Sequence, residues 1–139
     1  MNAKQERHVL DFSERGIRLL PQYRSGKKPC IENWQNIATT DMVVILQWAK
    51  QFPKANFAAL CGETTDILLI DIDEKNDEHG LASWKEFEAG RGIETLTVRS
   101  PSGGKHLYFR WDKRLDFTKI QGLLPGVEAI GNRQCVTIP

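Results

Sequence analysis

The chain has 139 residues, of which 40% are hydrophobic and 27% charged, and its formal net charge is +1. This balance excludes an intrinsically disordered chain, because disorder requires low hydrophobicity and a high net charge. No apolar run approaches the roughly 18 residues of a membrane-spanning helix, and the N-terminus lacks the apolar core of a signal peptide. We therefore expect a single domain over residues 1–139, located in the cytoplasm and without membrane contact.

The spacing of the three cysteines is consistent with a cytoplasmic location. Cys30, Cys61 and Cys135 are odd in number and widely spaced, and the sequence has no CxxC motif. This spacing favours neither a zinc site nor a redox pair. We expect reduced thiols, as in cytoplasmic proteins.

The first half of the chain predicts helices alternating with short strands. Apolar residues at helical spacing, such as Val44, Ile45 and Trp48, predict an amphipathic helix. Thr40 or Asp41 is a suitable N-cap for it. In chain order we expect a helix over 4–14, a strand over 17–20 ended by Pro21, a loop over 23–34, a helix from residue 40 or 41 to about 50, and a strand over 56–61.

The second half predicts a buried strand, a helix and two hairpins. The strand covers 67–73, the helix covers 80–89, the first hairpin joins 96–99 to 105–111 through a turn over Pro101–Gly104, and the second joins 127–130 to 135–138. Residues 115–122 fit neither pattern. Helices interspersed with strands and then hairpins indicate an α/β or α+β domain around a mixed sheet.

Two carboxylates end the predicted strand over 67–73, at the head of an acidic segment over 71–78 that includes Asp77. Because residues i and i+2 of a strand face the same side, Asp71 and Asp73 project together. Neighbouring carboxylates repel each other unless a cation lies between them, and Mg²⁺ prefers oxygen ligands of this kind. The pair is a candidate metal site; the alternative is a strand end whose acids enter a turn.

A glycine-rich turn, Ser102-Gly103-Gly104, precedes Lys105 and His106. Glycines allow the backbone to approach a ligand closely, and the N–H groups of a turn can form an anion-binding nest. Strand alternation places Lys105 and His106 on opposite faces. These residues are candidates for binding the phosphates of a metal-bound nucleotide, and the alternative is an ordinary hairpin turn.

Glu128 lies within the apolar strand predicted over 127–130. A buried carboxylate without a partner is costly. Its partner is either a basic residue, Arg133 or Lys119, or the cation that the two aspartates bind. Three acids and a histidine near a glycine-rich turn are the residues that two-metal phosphoryl or nucleotidyl transfer needs.

The motifs of the chain also follow a recognisable order. They are G-I-x-x-L-P at 16–21, K-P at 28–29 with Trp34, A-T-T-D at 38–41, P-x-A-N at 53–56, C-G at 61–62, I-L-L-I-D-I-D at 67–73, S-G-G-x-H-L-Y-F at 102–109 and G-V-E at 126–128. In this series the chain resembles the N-terminal primase–polymerase domain of bifunctional replication proteins from phages and plasmids, within the archaeo-eukaryotic primase superfamily.

The resemblance implies a recognition-motif-like palm sheet that carries the catalytic acids, flanked by an N-terminal α/β unit. It implies that Asp71, Asp73 and Glu128 hold two Mg²⁺ or Mn²⁺ ions, and that His106 contacts the phosphates of the incoming nucleoside triphosphate. Ser102–Gly104 and Lys105 are the adjoining nucleotide-binding candidates. Glu128 departs from the family pattern, which often has aspartate there.

The resemblance further implies DNA primase or polymerase activity on a single-stranded DNA template. Members of the family usually continue beyond the position of Pro139, often into a helicase. We therefore expect either a fragment truncated at its C-terminus or a reduced relative of the family. Either can bind metal and nucleotide yet fail to extend a primer, and a replicative helicase domain is an expected partner.

Two other functions remain open: a non-catalytic remnant that binds nucleotides or single-stranded nucleic acid, and a metal-dependent nuclease. Basic residues over 15–28 and 98–119 are predicted to contact phosphates of the template or the triphosphate. The four tryptophans are candidates for base stacking, although Trp48 and Trp84 lie on apolar helix faces and are expected in the core.

Overall fold

The computed structural model describes residues 1–75, 78–100 and 102–139. Over these residues the chain forms two compact units, one from Met1–Leu60 with Arg133–Pro139 and the other from Cys61–Asn132. Asp77 of the predicted acidic segment and Pro101 of the predicted turn lie outside the described residues.

The first unit packs helices against a three-stranded antiparallel sheet. Its elements are α1 (Ala3–Glu14), β1 (Leu19–Gln22), α2 (Trp34–Ile37), α3 (Met42–Gln51), β2 (Asn56–Leu60) and β8 (Cys135–Thr137), with strand order β1-β2-β8. Asn2 and Asp41 cap α1 and α3, because their side chains accept hydrogen bonds from backbone N–H groups of the first turn. Leu20, Ala58 and Leu60 lie in its core.

The second unit is a five-stranded antiparallel sheet with a helix packed on one face. Its elements are β3 (Leu68–Ile72), α4 (Gly80–Glu88), β4 (Leu96–Arg99), β5 (Lys105–Phe109), β6 (Lys119–Leu124) and β7 (Val127–Ile130), with strand order β4-β5-β3-β7-β6. Ile70 and Ile72 of β3 pack in the core with Trp84 of α4. The alternate residues of this central strand therefore point to the opposite face.

The α+β class predicted from the sequence is confirmed. The strand pairings of both sheets are antiparallel, whereas the sequence had suggested a mixed sheet. The predicted helices over 4–14 and 80–89 and the hairpin of β4 with β5 are confirmed to within two residues at each end. Among the residues that the structure describes, no helix is both long enough and apolar enough to span a membrane.

Two strand predictions are wrong. Pro21 lies within β1 rather than ending it; β1 is at the edge of its sheet, where the N–H that proline lacks is not needed. The strands over 127–130 and 135–138 form no hairpin, because β7 pairs with β3 and β6 whereas β8 pairs with β2. The hairpin partner of β7 is β6, whose mostly exposed residues lack the alternation that marks a half-buried strand.

Candidate active site

Asp71 lies in β3, the middle strand of the five-stranded sheet. Its direct cross-strand neighbours are His106 on β5 and Glu128 on β7. Side chains of directly opposed residues share one face of a sheet, with their Cβ atoms about 5 Å apart. The sheet therefore brings together three polar side chains that are far apart in the sequence.

Asp73 follows the end of β3, and two glycines hold its backbone. Its N–H donates to the carbonyl oxygen of Gly126 at 2.8 Å, and its own carbonyl oxygen accepts from the N–H of Gly80 at 2.9 Å. A Cβ at Gly126 would lie 2.6 Å from the Gly80 nitrogen, and a Cβ at Gly80 would lie 2.6 Å from the Asp73 carbonyl oxygen. Both positions must therefore be glycine for the backbone segments to come this close.

The sequence analysis missed the positioning role of these two glycines. Gly80 stands at the start of the helix predicted over 80–89, and Gly126 directly precedes the strand predicted over 127–130. The presence of a glycine at each of these element boundaries was the sequence signal that could have indicated a close backbone contact. Their contact through Asp73 is a tertiary feature that local patterns do not reveal.

The three carboxylates converge. One oxygen each from Asp71, Asp73 and Glu128 lies within 4.8 Å of the others, and all three residues are half-buried. Burial and, after it, the negative charge of Asp71 raise the pKa of Asp73 above its usual value. Converging carboxylate oxygens are the donors that Mg²⁺ and Mn²⁺ prefer, so these residues fit a divalent cation site.

Two basic side chains lie against this acidic cluster. His106 Nε2 is 3.3 Å from Asp71 Oδ1, and Lys119 Nζ is 3.3 Å from Glu128 Oε2. Lys119 is one of the two basic partners that the sequence offered for Glu128. The Asp73 carboxylate has no hydrogen bond or ion pair with any residue that the structure describes. Asp73 therefore has the least compensated charge of the three acids.

The glycine-rich turn packs against the end of β3. A Cβ at Gly104 would overlap the Ile72 carbonyl oxygen, and Gly103 has a φ of +91°, which favours glycine. The Gly103 N–H donates to the Ser100 carbonyl oxygen at 3.0 Å, so this N–H is already bonded within the turn. The Ser102 and Ser100 hydroxyl oxygens are 3.2 Å apart. Packing and backbone conformation thus explain the two glycines before any ligand is considered.

Lys105 is not brought to the acidic cluster. It pairs with Ile72 and lines a groove with Trp84 and Leu107 on the helix-covered face. His106, the next residue, contacts Asp71 on the other face. The alternation of these two side chains, expected from the sequence, is observed, and it separates the Lys105 ammonium from the carboxylates by the thickness of the sheet.

Most of the tryptophans are unsuitable for base stacking. Trp48, Trp84 and Trp111 are 9%, 7% and 7% exposed. The prediction that Trp48 and Trp84 belong to the core is confirmed. Trp111 was also a stacking candidate, but its burial against Phe117 leaves no ring face open to a base.

Comparison with known proteins gives one family. The family model described as "Bifunctional DNA primase/polymerase, N-terminal" matches residues 9–139, which is nearly the whole chain. A search of curated proteins finds no match. The family supports DNA primase or polymerase function in general and is generally metal-dependent, in agreement with the acidic cluster on β3 and β7. The chain belongs to the bifunctional DNA primase/polymerase N-terminal family.

Proposed function

We propose that this chain joins nucleotides into a DNA or RNA strand on a single-stranded DNA template, with two Mg²⁺ or Mn²⁺ ions held by Asp71, Asp73 and Glu128. The observation that supports the proposal most directly is the convergence of these three carboxylates within 4.8 Å. Family membership supports the same chemistry in general terms.

The carboxylates would be the protein ligands of the ions. Divalent ions supply charge neutralisation on a triphosphate and activation of the attacking hydroxyl in reactions of this class. The chain itself contributes the fixed placement of the ligands. Asp71 and Glu128 are opposed on neighbouring strands, and the Asp73 backbone is held by Gly80 and Gly126.

His106 is proposed to bind the triphosphate. Its imidazole is oriented by Asp71 and lies at the border of the acidic cluster, with its side chain 15% exposed. There it can donate a hydrogen bond to a phosphate oxygen near the metal ligands. Ser102 lies in the adjoining turn and is a second proposed phosphate contact.

Gly103, Gly104 and Lys105 belong to the same proposed nucleotide-binding segment, and they rest on less support. The two glycines have structural explanations, and Lys105 lies on the other face of the sheet. The proposed setting is phage or plasmid replication in the cytoplasm of the host cell, with a replicative helicase domain as partner. This setting is supported by the resemblance described above.

The decisive experiment is primer synthesis on single-stranded DNA with nucleoside triphosphates and Mn²⁺. We expect the wild-type chain to synthesise labelled products and Asp71→Asn/Asp73→Asn to lose synthesis. Asp116→Asn, which changes an exposed acid outside the cluster, is the matched control and should retain it. Undiminished synthesis by the double variant would refute the proposed role of the cluster.

The same proteins separate the two rival functions. Cleavage of labelled single-stranded DNA with Mg²⁺ and no nucleotides would identify a nuclease. Calorimetry with Mn²⁺ and a nucleoside triphosphate tests the non-catalytic alternative. We expect metal-dependent nucleotide binding that is lost in His106→Ala, whereas a binding remnant would retain strand binding without metal and without synthesis.

A further inference from the structure

Both basic segments contain ion-paired cations and exposed cations without an ion pair among the described residues. In the segment 98–119, Arg110, Arg114 and Lys119 each form an ion pair with an acid. The first unit contains a loop over 23–28 in which three cations, Arg24, Lys27 and Lys28, are exposed. None of these three forms an ion pair with a residue in the described part of the chain. Their positive charge is therefore available to a partner.

The loop over 23–28 is a fixed turn. The Tyr23 N–H donates to the Lys28 carbonyl oxygen at 2.8 Å, and the Cys30 N–H donates to the Pro21 carbonyl oxygen at 2.9 Å. Gln22 is 2% exposed. Its Nε2 donates to the Lys27 carbonyl oxygen at 2.9 Å, and its Oε1 accepts from the Thr137 hydroxyl at 2.6 Å. A buried side chain thus ties the loop to β8 and reduces the conformational entropy lost on binding.

An aromatic residue, Tyr23, directly precedes these cations in the chain. Tyr23 is 48% exposed. Its ring packs edge-on with Phe52, at 6.5 Å between centroids and 81° between planes. Phe52 therefore supports the Tyr23 ring while about half of the residue remains open to solvent.

We propose that the loop over 23–28 binds single-stranded nucleic acid, with a base stacked on Tyr23 and phosphates bound by Arg24, Lys27 and Lys28. Unpaired cations around an accessible aromatic ring are the two components of strand binding without sequence preference. A double helix presents phosphates, but its bases are stacked on each other and leave no open face for Tyr23. An acidic protein presents negative charge but has no bases to stack on the ring. This inference rests on the proposed function in taking the strand to be the template, but the binding itself needs neither metal nor nucleotide.

The test is fluorescence anisotropy of a labelled 20-residue oligothymidine with the whole chain in EDTA. We expect Tyr23→Ala to weaken binding by about 5- to 100-fold and Tyr23→Phe to preserve it, because stacking needs the ring and not the hydroxyl. The triple variant Arg24→Gln/Lys27→Gln/Lys28→Gln should reduce the slope of log affinity against log salt by about 2, the value for three phosphate contacts to a single strand.

The matched control is Lys4→Gln/Arg7→Gln/Lys85→Gln, which removes the same charge from exposed positions outside both basic segments. An equal loss of affinity in this control, or equal binding of duplex DNA or polyglutamate by the wild type, would overturn the proposal. So would an unchanged salt slope in the first triple variant. Normal strand binding by a wild-type chain that cannot synthesise primers would instead contradict the proposed function, so the two failures are distinguishable.

Discussion

Gly104 tests whether the glycine-rich turn is required by packing or by a ligand. A Cβ at Gly104 would overlap the Ile72 carbonyl oxygen and lie 3.0 Å from the Ile72 carbonyl carbon, whereas a Cβ at Gly103 would meet nothing within 4 Å. An ordinary separation of about 3.5 Å can be restored only if β5 moves away from β3 by more than about 1 Å. That movement would break ladder hydrogen bonds next to His106.

We expect Gly104→Ala to lower the free energy of unfolding by about 3–5 kcal/mol. Overpacking costs about 1–3 kcal/mol, and a clash with backbone belongs at the upper end of that range. One or two lost strand hydrogen bonds add about 1 kcal/mol each. Gly103→Ala is the matched control, since its positive φ costs alanine about 1–2 kcal/mol without a clash.

The assay is urea unfolding followed by circular dichroism, with Mn²⁺ affinity measured on both variants. Gly104→Ala should also weaken Mn²⁺ binding, because β5 carries His106 against Asp71. The packing argument is refuted if Gly104→Ala is no less stable than Gly103→Ala. A Gly103→Ala variant that loses only the expected amount of stability, about 1–2 kcal/mol, but no longer binds nucleotide would show that ligand binding requires the glycine at this position.

Two further predictions concern the charges of the acidic cluster. The pKa of Asp73 is raised in the folded chain. The free energy of unfolding therefore falls as the pH rises from the ordinary pKa of an aspartate through the pKa of Asp73 in the folded chain. Asp73→Asn should therefore raise the melting temperature of the metal-free protein at neutral pH, relative to Asp116→Asn, and the gain should vanish near about pH 3, where the carboxyl is protonated in both states. Lys119→Met should tighten Mn²⁺ binding about two- to fivefold in calorimetry, because the Lys119 ammonium competes for Glu128 and the partly exposed ion pair is weak. Unchanged or weaker binding in Lys119→Met would contradict this competition.

Much of the site could be predicted from the sequence because it depends on strand periodicity. The run Ile67–Ile70 predicts a buried strand, and period-2 alternation then places Asp71 and Asp73 on one face. The same alternation separates Lys105 from His106 correctly. The face on which a strand residue lies is a local property, so a local sequence pattern is sufficient to predict it.

The missing parts are those set by pairing between distant segments. No local sequence pattern predicts that β7 pairs with β3 and β6. The short spacing between 127–130 and 135–138 instead favours a hairpin, which does not form. The close contact of Gly80 with Gly126 likewise depends on where α4 begins relative to β7. The edge strand β6 has exposed residues on both faces, so burial imposes no alternation on its sequence.

The acidic cluster depends on the apolar face behind it. Shifting β7 by one residue against β3 would move Glu128 to the other face of the sheet and away from Asp71, because side chains alternate with a period of two. The same shift would remove Val127 and Ala129, which are 0% and 3% exposed, from their packing with Ile70 and Ile72 and would place the Glu128 carboxylate in that core. Burial of a side chain such as valine is worth about 1.5–3 kcal/mol, whereas the cluster itself contains uncompensated negative charge. The core on the α4 side therefore sets the register, and the register brings the three carboxylates together.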